Sequence, residues 1–307
     1  MRYVAQKNKN NKKRIVIAVV CVLLIAAVAL TLYFILFRGK NADRSNETDL
    51  AGRGVLTVRV LDVGQGDSIL ITTAESKNIL IDTGYYFPDN TMLNLLIRYG
   101  VDEIEYMVLT HPHGDHIGNA KKVLQNFKTK NVIMINMVGA SYSYGELLDE
   151  LENQKDINVI EGKAGYTFNV SGAEFRILSP QTLSEDMNES SIVMRMTYGA
   201  NSMIFMADAG EVTEQWLMRN YTASELRSDV IKIGHHGSKY SSTRAFLRTV
   251  SPKYAVISCG KDNDYGHPHS RVTNTLISLG IKTLRTDMEG TVSFYFYGDF
   301  VSTEPPR

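Results

Sequence analysis

Four side chains of metal-binding type lie within six residues of this 307-residue chain. They are His111, His113, Asp115 and His116. Imidazole nitrogens and carboxylate oxygens suit divalent ions such as Zn²⁺ and Mn²⁺. On a tight loop spaced by Pro112 and Gly114, alternate side chains can converge on one point. Four ligands are more than one open catalytic site uses, so we expect two adjacent ions, which clamp the attacking and leaving oxygens of a displacement.

All seven histidines fall in three short windows, at 111–116, 235–236 and 267–269. Each window follows shortly after a predicted strand, and strand ends are where a rigid scaffold delivers side chains into a shared cleft. A single histidine would more simply be an ordinary surface or core residue. The grouping of all seven favours one site built from the three windows.

The elements that must position these windows follow from the hydrophobic pattern. Short apolar runs predict strands, whereas an apolar stripe such as Leu93, Leu96 and Ile97 predicts a helix. The mixture indicates an α/β fold of two sheets with helices outside them, rather than one doubly wound parallel sheet. Predicted strands are 55–61, 68–72, 78–81, 106–109, 132–137, 175–178, 192–197, 202–206, 229–233, 255–258 and 291–296, and predicted helices are 90–99, 121–127, 211–218, 244–249 and 271–279.

The N-terminal region differs from the rest of the chain. Residues 15–37 are 23 consecutive uncharged, mostly apolar residues, enough to cross a bilayer as a single transmembrane helix. The basic tail at 1–14 carries six Lys or Arg and no acid. We therefore expect a cell-membrane protein with a cytoplasmic N-terminus, a tether at 38–53 and an extracytoplasmic domain at 54–301. A cleaved signal peptide is the alternative, but its apolar core normally has about 7–15 residues.

Charge limits the possible partners. The net charge of the chain is zero, but residues 51–307 carry 24 Lys or Arg against 30 Asp or Glu, a net −6. Proteins that depend on nonspecific nucleic-acid affinity usually have the opposite sign. This argues against a DNA-binding module, though not against an enzyme that handles a phosphodiester at a metal site. The two cysteines, Cys21 and Cys259, predict no internal disulfide framework.

The run at 110–118 resembles the His-x-His-x-Asp-His motif of the metallo-β-lactamase fold superfamily. Further segments, in the family's order, narrow the resemblance to the hydrolase domain of the ComEC/Rec2 competence proteins. The resemblance implies a four-layer αββα sandwich that binds two divalent metal ions, Zn²⁺ or Mn²⁺. The segments that carry it are 61–67 (LDVGQGD), 81–84 (IDTG), 109–118, 206–209 (MADA), 233–238 (IGHHGS) and 265–269 (YGHPH).

The family pattern assigns metal ligands by position. It implies that His111 and His113 hold the first ion and that Asp115 and His116 hold the second. Asp208 resembles the carboxylate that bridges the two ions. Asp115 is therefore expected to act in catalysis as well as in metal binding.

The same pattern implies roles around the ligands. One of His235 and His236 resembles the remaining ligand of the second ion. We favour His236 for this role, with His235 contacting the phosphate or the leaving group, although the reverse stays open. Asp82 resembles the family's aspartate that orients a ligand imidazole. His267 and His269 belong to the branch-specific element and are expected to face the substrate.

One departure from the family pattern concerns the first ion. Many members of the superfamily place another histidine before the bridging aspartate, but no histidine occurs from Ile117 to Asp208. The segment 188–191 (NESS) stands roughly at that position. The first ion is then expected to be held by two histidines, Asp208 and water, with weaker affinity. The departure also argues against a β-lactamase proper.

These features lead to an exported, membrane-anchored phosphodiesterase or nuclease that uses a metal-bound hydroxide, with DNA as the candidate substrate. The first alternative is a cell-envelope phosphodiesterase of the phosphorylcholine-esterase type. Its quaternary ammonium group would need an aromatic wall. The second alternative is a non-catalytic envelope or competence-partner protein, against which the intact ligand set argues. No protein partner can be inferred. The rings that could form the aromatic wall, or merely pack loops, are Tyr85, Tyr86, Phe87, Tyr142 and Tyr144.

Overall fold

The computed structural model describes residues 54–87, 89–137 and 142–306. The predicted tail, membrane anchor and tether at 1–53 lie outside these ranges. Within them, no helix combines the length and apolar character needed to span a membrane.

The first sheet has eight strands in the order β15-β14-β1-β2-β3-β4-β5-β6. Strands β3 to β6 run parallel to one another, and the remaining pairs are antiparallel. The first strand, β1, therefore lies beside β14, which is more than 230 residues further along the chain. The strands are β1 Leu56–Val60, β2 Ile69–Thr72, β3 Asn78–Ile81, β4 Glu103–Leu109, β5 Lys128–Met134, β6 Asn158–Glu161, β14 Val292–Phe296 and β15 Val301–Ser302.

The second sheet has seven strands in the order β13-β12-β11-β10-β9-β8-β7. Strands β10 to β13 are parallel, whereas β7 to β10 form an antiparallel meander. These strands are β7 Thr167–Val170, β8 Ala173–Ser179, β9 Val193–Tyr198, β10 Asn201–Phe205, β11 Val230–Lys232, β12 Tyr254–Ile257 and β13 Lys282–Arg285.

Helices connect the strands and cover the sheets. Two helices begin with side-chain caps. Thr222 and Glu225 form a capping box at the start of Ala223–Leu226, and the Thr243 hydroxyl accepts a hydrogen bond from the Phe246 N–H at the start of Arg244–Val250. The helices are α1 Thr91–Arg98, α2 Gly114–Ile117, α3 Ala120–Asn126, α4 Tyr142–Asn153, α5 Glu211–Asn220, α6 Ala223–Leu226, α7 Arg244–Val250, α8 Ser270–Ser278 and α9 Thr286–Glu289, with 3₁₀ turns at Asn188–Ser190 and Gly234–Gly237.

The central core lies between the two sheets. Successive side chains of a strand point to opposite faces, so Ile69 and Ile71 of β2 pack in this core with Phe175 of β8. Leu70, between them, packs on the other face of its sheet against helical residues of α1 to α4. A third cluster joins the outer face of the second sheet to α5 to α8. The predicted α/β fold with two sheets is confirmed.

The apolar stripe of α1 differs in part from the prediction. Leu93 and Leu96 are buried as expected, but Ile97 is 63% exposed and Met92 is buried in its place. Both sets fit a helical face, and only the position of the neighbouring sheet decides between them.

Parallel strands bring the candidate site residues to one edge of each sheet. In the first sheet, Asp82 follows β3 and His111 follows β4, and these strands are parallel neighbours. In the second sheet, Asp208 follows β10 and His236 follows β11, which are also parallel neighbours. The carboxyl ends of parallel strands are the usual place for a ligand site in α/β folds.

Candidate metal centre

The loop that follows β4 is folded tightly enough to turn its side chains towards one point. His113 is the N-terminal cap residue of α2, and its carbonyl accepts hydrogen bonds from the N–H groups of His116 and Ile117. The 61–67 segment packs directly against this turn, where the Asp67 N–H donates to the Asp115 carbonyl. A Cβ on Gly66, whose φ is +135°, would lie 2.4 Å from that carbonyl oxygen. The close approach therefore requires glycine.

Two groups of potential ligands meet at Asp208. The donor atoms of Asp115, His116, Asp208 and His236 all lie within 4.8 Å of one another, and so do those of His111, His113 and Asp208. The structure thus brings together all six residues predicted as metal ligands, from loops of both sheets. Asp208, which occurs in both groups, has the position that a bridging carboxylate requires.

The donor atoms fit a cation. The Nε2 atom of His116 lies 3.2 Å from Oδ1 of Asp208, yet within the described part of the chain neither buried atom has a hydrogen-bond partner. Buried polar groups are almost always satisfied, and a buried carboxylate needs a compensating charge. Imidazole and carboxylate donors that face one another in this way are suited to a shared divalent ion.

His116 is held from behind by Asp82. The Nδ1 atom of His116 lies 2.7 Å from Oδ2 of Asp82, whose other oxygen accepts a hydrogen bond of 2.8 Å from the Thr110 N–H. Burial raises the pKa of Asp82, although the charge of His116 and the Thr110 hydrogen bonds act against this effect. Because Nδ1 faces Asp82, Nε2 is directed towards Asp208. The geometry matches the orienting role predicted for Asp82.

A buried ion pair lies behind His236. The Lys232 ammonium lies 2.8 Å from Oδ2 of Asp67, and both side chains are shielded from solvent. Oδ1 of Asp67 lies 3.3 Å from Nδ1 of His236, which is also 3.0 Å from the Ser258 carbonyl oxygen. Burial alone would raise the pKa of Asp67, but the charges of Lys232 and His236 lower it to about 2. Sequence reasoning missed this pair, although a lysine inside the apolar run 230–233 was a visible signal.

The electrostatics of the buried groups favour positive charge at the centre. Burial alone would raise the pKa of Asp208, but the charges of His236 and His116 hold it well below its usual range. Burial alone would lower the pKa of His236, but the charges of Asp208 and Asp67 raise it to about 10. The buried carboxylates therefore stabilise positive charge at a site where burial alone would disfavour it. A bound metal cation would supply such a charge.

His235 and His236 have different surroundings although they are neighbours. Both adopt left-handed backbone conformations, with φ of 47° and 51°, and their ring planes differ by 76°. His236 is buried in the ligand group, whereas the His235 side chain is 27% exposed and has Nε2 3.6 Å from Oδ2 of Asp208. This arrangement supports the favoured assignment, with His236 as ligand and His235 beside it. Residues other than glycine rarely adopt positive φ, and such strain concentrates at functional sites.

An open cavity of about 710 Å³ exposes the centre. Its floor includes His113, Asp115 and Asp208, and Lys and Arg are absent from the lining among the described residues. A polyanionic substrate would therefore meet positive charge mainly at the metal centre itself. Further lining residues are Val63, Gly64, Gln65, Tyr85, Phe87, Asp264, Tyr265 and His267.

His267 lies on the cavity wall as a neutral hydrogen-bond donor. Oε1 of Gln65 accepts from the Gly260 N–H, which leaves Nε2 of Gln65 3.5 Å from Nδ1 of His267. If the Gln65 amide donates across this contact, Nδ1 is the acceptor and the ring proton is on Nε2. Burial and the neighbouring histidine charges lower the pKa of His267 to about 4. His269, by contrast, is not among the described lining residues, and its Nδ1 accepts from the Lys239 N–H.

The aromatic residues considered for a quaternary ammonium group are only partly at the cavity. Tyr85 and Phe87 line it, but the Tyr86 ring is covered by the Lys122 ammonium at 5.0 Å. Tyr142 is 83% exposed on α4. The Tyr144 hydroxyl, which is buried, donates to the Ile135 carbonyl. Tyr265, which the prediction omitted, lines the cavity and stacks on His267 with ring centroids 5.5 Å apart.

The segment 188–191, which stands where many family members have a further histidine, contacts the ligand group of His111, His113 and Asp208. The Ser191 hydroxyl lies 3.4 Å from Nδ1 of His111 and accepts a hydrogen bond of 3.3 Å from the Asp208 N–H. Asn188 lines the cavity together with His113 and Asp208. The departure from the family pattern is therefore located at the ligand group formed by His111, His113 and Asp208.

The fold and this site define a class of protein that the comparisons establish. The sequence model of the metallo-beta-lactamase superfamily matches residues 61–261, and the chain belongs to that superfamily. CmlA, a diiron beta-hydroxylase from Streptomyces venezuelae, has a similar fold, with a TM-score of 0.51 and 15% identity over 74% of this chain and 52% of that chain. This likeness concerns the fold alone.

The chain's curated relatives confirm the predicted resemblance to competence proteins. ComE operon protein 3 of Bacillus subtilis is 31% identical over 257 residues, which cover 78% of this chain and 33% of that protein. Competence protein ComA of Neisseria gonorrhoeae is 34% identical over 239 residues, which cover 77% of this chain and 32% of that protein. The match thus spans about a third of the length of each relative.

Proposed function

We propose that the chain is a metal-dependent phosphodiesterase that acts on nucleic acid. The observation that carries this proposal is the pair of ligand groups sharing Asp208 at the floor of an open cavity. His111, His113 and Asp208 would hold one divalent ion, and Asp115, His116, Asp208 and His236 the other. When bound, two such ions supply Lewis-acid charge to a phosphoryl group and activate water as a nucleophile.

Residues of the chain orient the proposed metal ligands and line the opening where this reaction would take place. The water oxygen forms a bond to phosphorus and gives up a proton, the phosphorus–oxygen ester bond breaks, and the leaving oxygen gains a proton in exchange. Asp82 and the Ser258 carbonyl fix the rings of His116 and His236 from behind, so that the ligand atoms need not reorganise during the reaction. His267, with its proton on Nε2, donates a hydrogen bond to charge that develops in the cavity. His235 lies beside Asp208 at the same opening.

The activity can be tested on the full-length chain purified in detergent and loaded with Mn²⁺ or Zn²⁺. We expect hydrolysis of bis-p-nitrophenyl phosphate, and loss of most of that activity in His113→Ala because one ligand group is broken. Gln215→Ala, on the exposed face of α5, is the matched control and should keep wild-type activity. A protein that binds no metal and hydrolyses no phosphodiester would instead favour a non-catalytic envelope or competence-partner protein.

The choice of nucleic acid rests on the relatives. Both carry competence or ComE operon in their names, and uptake of DNA is the process that competence denotes. We therefore expect cleavage of plasmid DNA or of a single-stranded oligonucleotide that disappears in His113→Ala. If the p-nitrophenyl diester is hydrolysed but neither DNA substrate is, the phosphodiesterase assignment stands and the nuclease assignment fails.

A second candidate substrate is a choline phosphodiester of the cell envelope. Tyr85, Phe87 and Tyr265 line the cavity with Asp264, and none of the described lining residues is Lys or Arg. Aromatic faces and a carboxylate favour a quaternary ammonium group. Turnover of p-nitrophenylphosphorylcholine, and of neither DNA nor bis-p-nitrophenyl phosphate, which lacks the choline group, would select this candidate over the nuclease.

The proposed location follows from the sequence of residues 1–37. We place residues 15–37 across the cell membrane with the N-terminus in the cytoplasm and the catalytic domain outside. Protease added to intact cells should then degrade the domain from 54 onwards, with a cytoplasmic protein as the protected control. Full protection of the domain on intact cells, followed by degradation after lysis, would overturn this topology.

A further inference from the structure

The cavity that exposes the ligand group of His111, His113 and Asp208 is also lined by Asn188. The Oδ1 atom of Asn188 is buried and, among the residues the structure describes, has no hydrogen-bond partner. Asn188 lines the cavity with His113 and Asp208. A buried acceptor without a partner is rare in a folded protein and calls for a ligand, an ion or a water.

The 3₁₀ turn that carries Asn188 is fixed on both sides. The carboxylate of Glu189 accepts hydrogen bonds from the backbone N–H and the hydroxyl of Thr213, at 2.8 and 2.6 Å. The Ser190 hydroxyl accepts from the Ser184 N–H at 2.8 Å. Ser191 reaches His111 and Asp208, as described above. Asn188 is thus presented by a pre-organised segment that contacts this ligand group through its own chain.

The ligand group of His111, His113 and Asp208 can accommodate a further oxygen ligand. His111, His113 and Asp208 supply three donors, two nitrogens and one carboxylate oxygen. Amide carbonyl oxygens are established ligands of hard divalent ions, whereas imidazole suits Zn²⁺. We propose that Oδ1 of Asn188 is a further ligand of the ion held by His111, His113 and Asp208. An oxygen at this position shifts the preference of that site towards Mn²⁺, compared with a site that has a third imidazole.

This inference rests on the proposed two-metal centre, but it is tested by metal binding rather than by turnover. The full-length protein, stripped with chelator, would be dialysed against equal concentrations of Mn²⁺ and Zn²⁺, and bound metal would be counted by mass spectrometry. Affinity for each ion would be measured separately by chelator competition. Mn²⁺ spectra from electron paramagnetic resonance would report the ligand environment directly.

Four variants give distinct expectations. Asn188→Ala should weaken binding of one of the two ions by about tenfold or more, and Asn188→Asp should retain that ion because it keeps an oxygen donor. Asn188→His should raise the ratio of bound Zn²⁺ to Mn²⁺ by about tenfold, since it replaces oxygen by imidazole. Asn201→Ala is the control, because Asn201 also has a buried Oδ1 without a partner in the described residues but lies at the start of β10.

The outcomes separate this inference from the proposed function. If Asn188→Ala and Asn188→His both keep the wild-type affinities and metal ratio, the ligand assignment is wrong even if the enzyme hydrolyses phosphodiesters. If metal binding depends on Asn188 but no phosphodiester is hydrolysed, the assignment stands and the function fails. Circular dichroism identifies a variant that fails to fold, and Asn188→Asp and Asn188→His then carry the test.

Discussion

At the scale of single residues, the candidate metal centre depends on buried groups that lie behind the proposed ligands. Asp82 holds His116 through Nδ1 and is itself held by Thr110. Its backbone is left-handed, with a φ of 58°, a conformation that aspartate and asparagine tolerate better than most residues. Asp82 can therefore be changed to asparagine without disturbing the turn that carries it.

Asp82→Asn should weaken metal binding by about 10- to 100-fold, because a neutral amide no longer orients and polarises the His116 ring. Chelator-competition titration of the full-length protein measures this directly. Asp102→Asn, at an exposed position just before β4 and so at the opposite end of the parallel strands, is the control and should bind metal like wild type. Unchanged affinity in Asp82→Asn would show that packing alone holds His116.

The ligand residues and the orienting Asp82 could be predicted from the sequence, whereas the buried ion pair of Lys232 and Asp67 could not. His111, His113, Asp115 and His116 are adjacent in sequence, and their spacing alone indicates a metal site. The contact between Lys232 and Asp67 depends on how two sheets are placed against each other, and no local pattern encodes that placement. Tyr265 was missed for the same reason, because only the folded loop shows that it stacks on His267 at the cavity.

At the scale of elements, β11 brings a lysine into the core behind the metal centre. Lys232→Met should lower the free energy of unfolding by about 3–5 kcal/mol, because it leaves the Asp67 carboxylate buried without its partner. Urea unfolding in the presence of chelator, followed by fluorescence of the single tryptophan, Trp216, separates this effect from metal loss. The double variant Asp67→Asn/Lys232→Met should recover part of the loss.

The matched control for that experiment is Lys282→Met, since Lys282 lies on β13 and is exposed. It should change the free energy of unfolding by less than about 1 kcal/mol. A loss of similar size in both variants would mean that the ion pair contributes nothing specific.

Glu214 makes the packing of α5 on α7 sensitive to pH. Its carboxylate accepts hydrogen bonds from the N–H groups of Ser242 and Thr243, but burial raises its pKa from 4.5 to about 7. The folded state therefore binds a proton more tightly than the unfolded state. The stabilising contribution is fully present below about pH 4.5 and is lost as pH rises through 7.

We expect the free energy of unfolding of the wild type, relative to Glu214→Gln, to fall by up to about 3 kcal/mol between pH 5 and pH 8. Tryptophan fluorescence during urea unfolding gives the values, and Glu152→Gln on the exposed face of α4 is the control. A difference between wild type and Glu214→Gln that does not change with pH would contradict the shifted pKa.

Elements with strong apolar patterns were predicted well, and weakly patterned ones were missed. Strands β2, β3, β9 and β10 agree with prediction to within a residue or two. Strand β6 was not predicted because it is an edge strand with largely exposed side chains, so no alternation marks it. Helix α4 is mostly polar and packs through a few buried side chains, among them Tyr144 and Leu147. Elements such as β6 and α4 are stabilised by their contacts with neighbouring elements rather than by local sequence.

At the scale of the whole molecule, net charge and cavity lining predict how a DNA substrate would respond to salt. The part from 51 to 307 has a net charge of −6, and the described cavity lining contains no Lys or Arg. Each phosphate neutralised by a basic side chain on a single strand adds about −0.7 to the slope of log affinity against log salt. For an oligonucleotide substrate, we expect the logarithm of kcat/KM plotted against the logarithm of salt concentration to have a slope between about 0 and −1.

The reference substrate for this salt series is bis-p-nitrophenyl phosphate, which carries one charge and should show a similar shallow slope. A slope steeper than about −3 for the oligonucleotide alone would indicate a basic path for the strand that the charge distribution does not predict.

The pairing of β1 with β14 has a consequence for the order in which the protein is completed. Strand β1 gains its outer neighbour only when residues 292–296 have been synthesised, long after every proposed metal ligand has left the ribosome. The sheet that carries His111 to His116 therefore stays open along one edge until residues 292–296 emerge. A chain cut short before residue 292 would hold the full set of ligands on a scaffold with an unpaired strand beside its core, exposed to aggregation and to proteolysis.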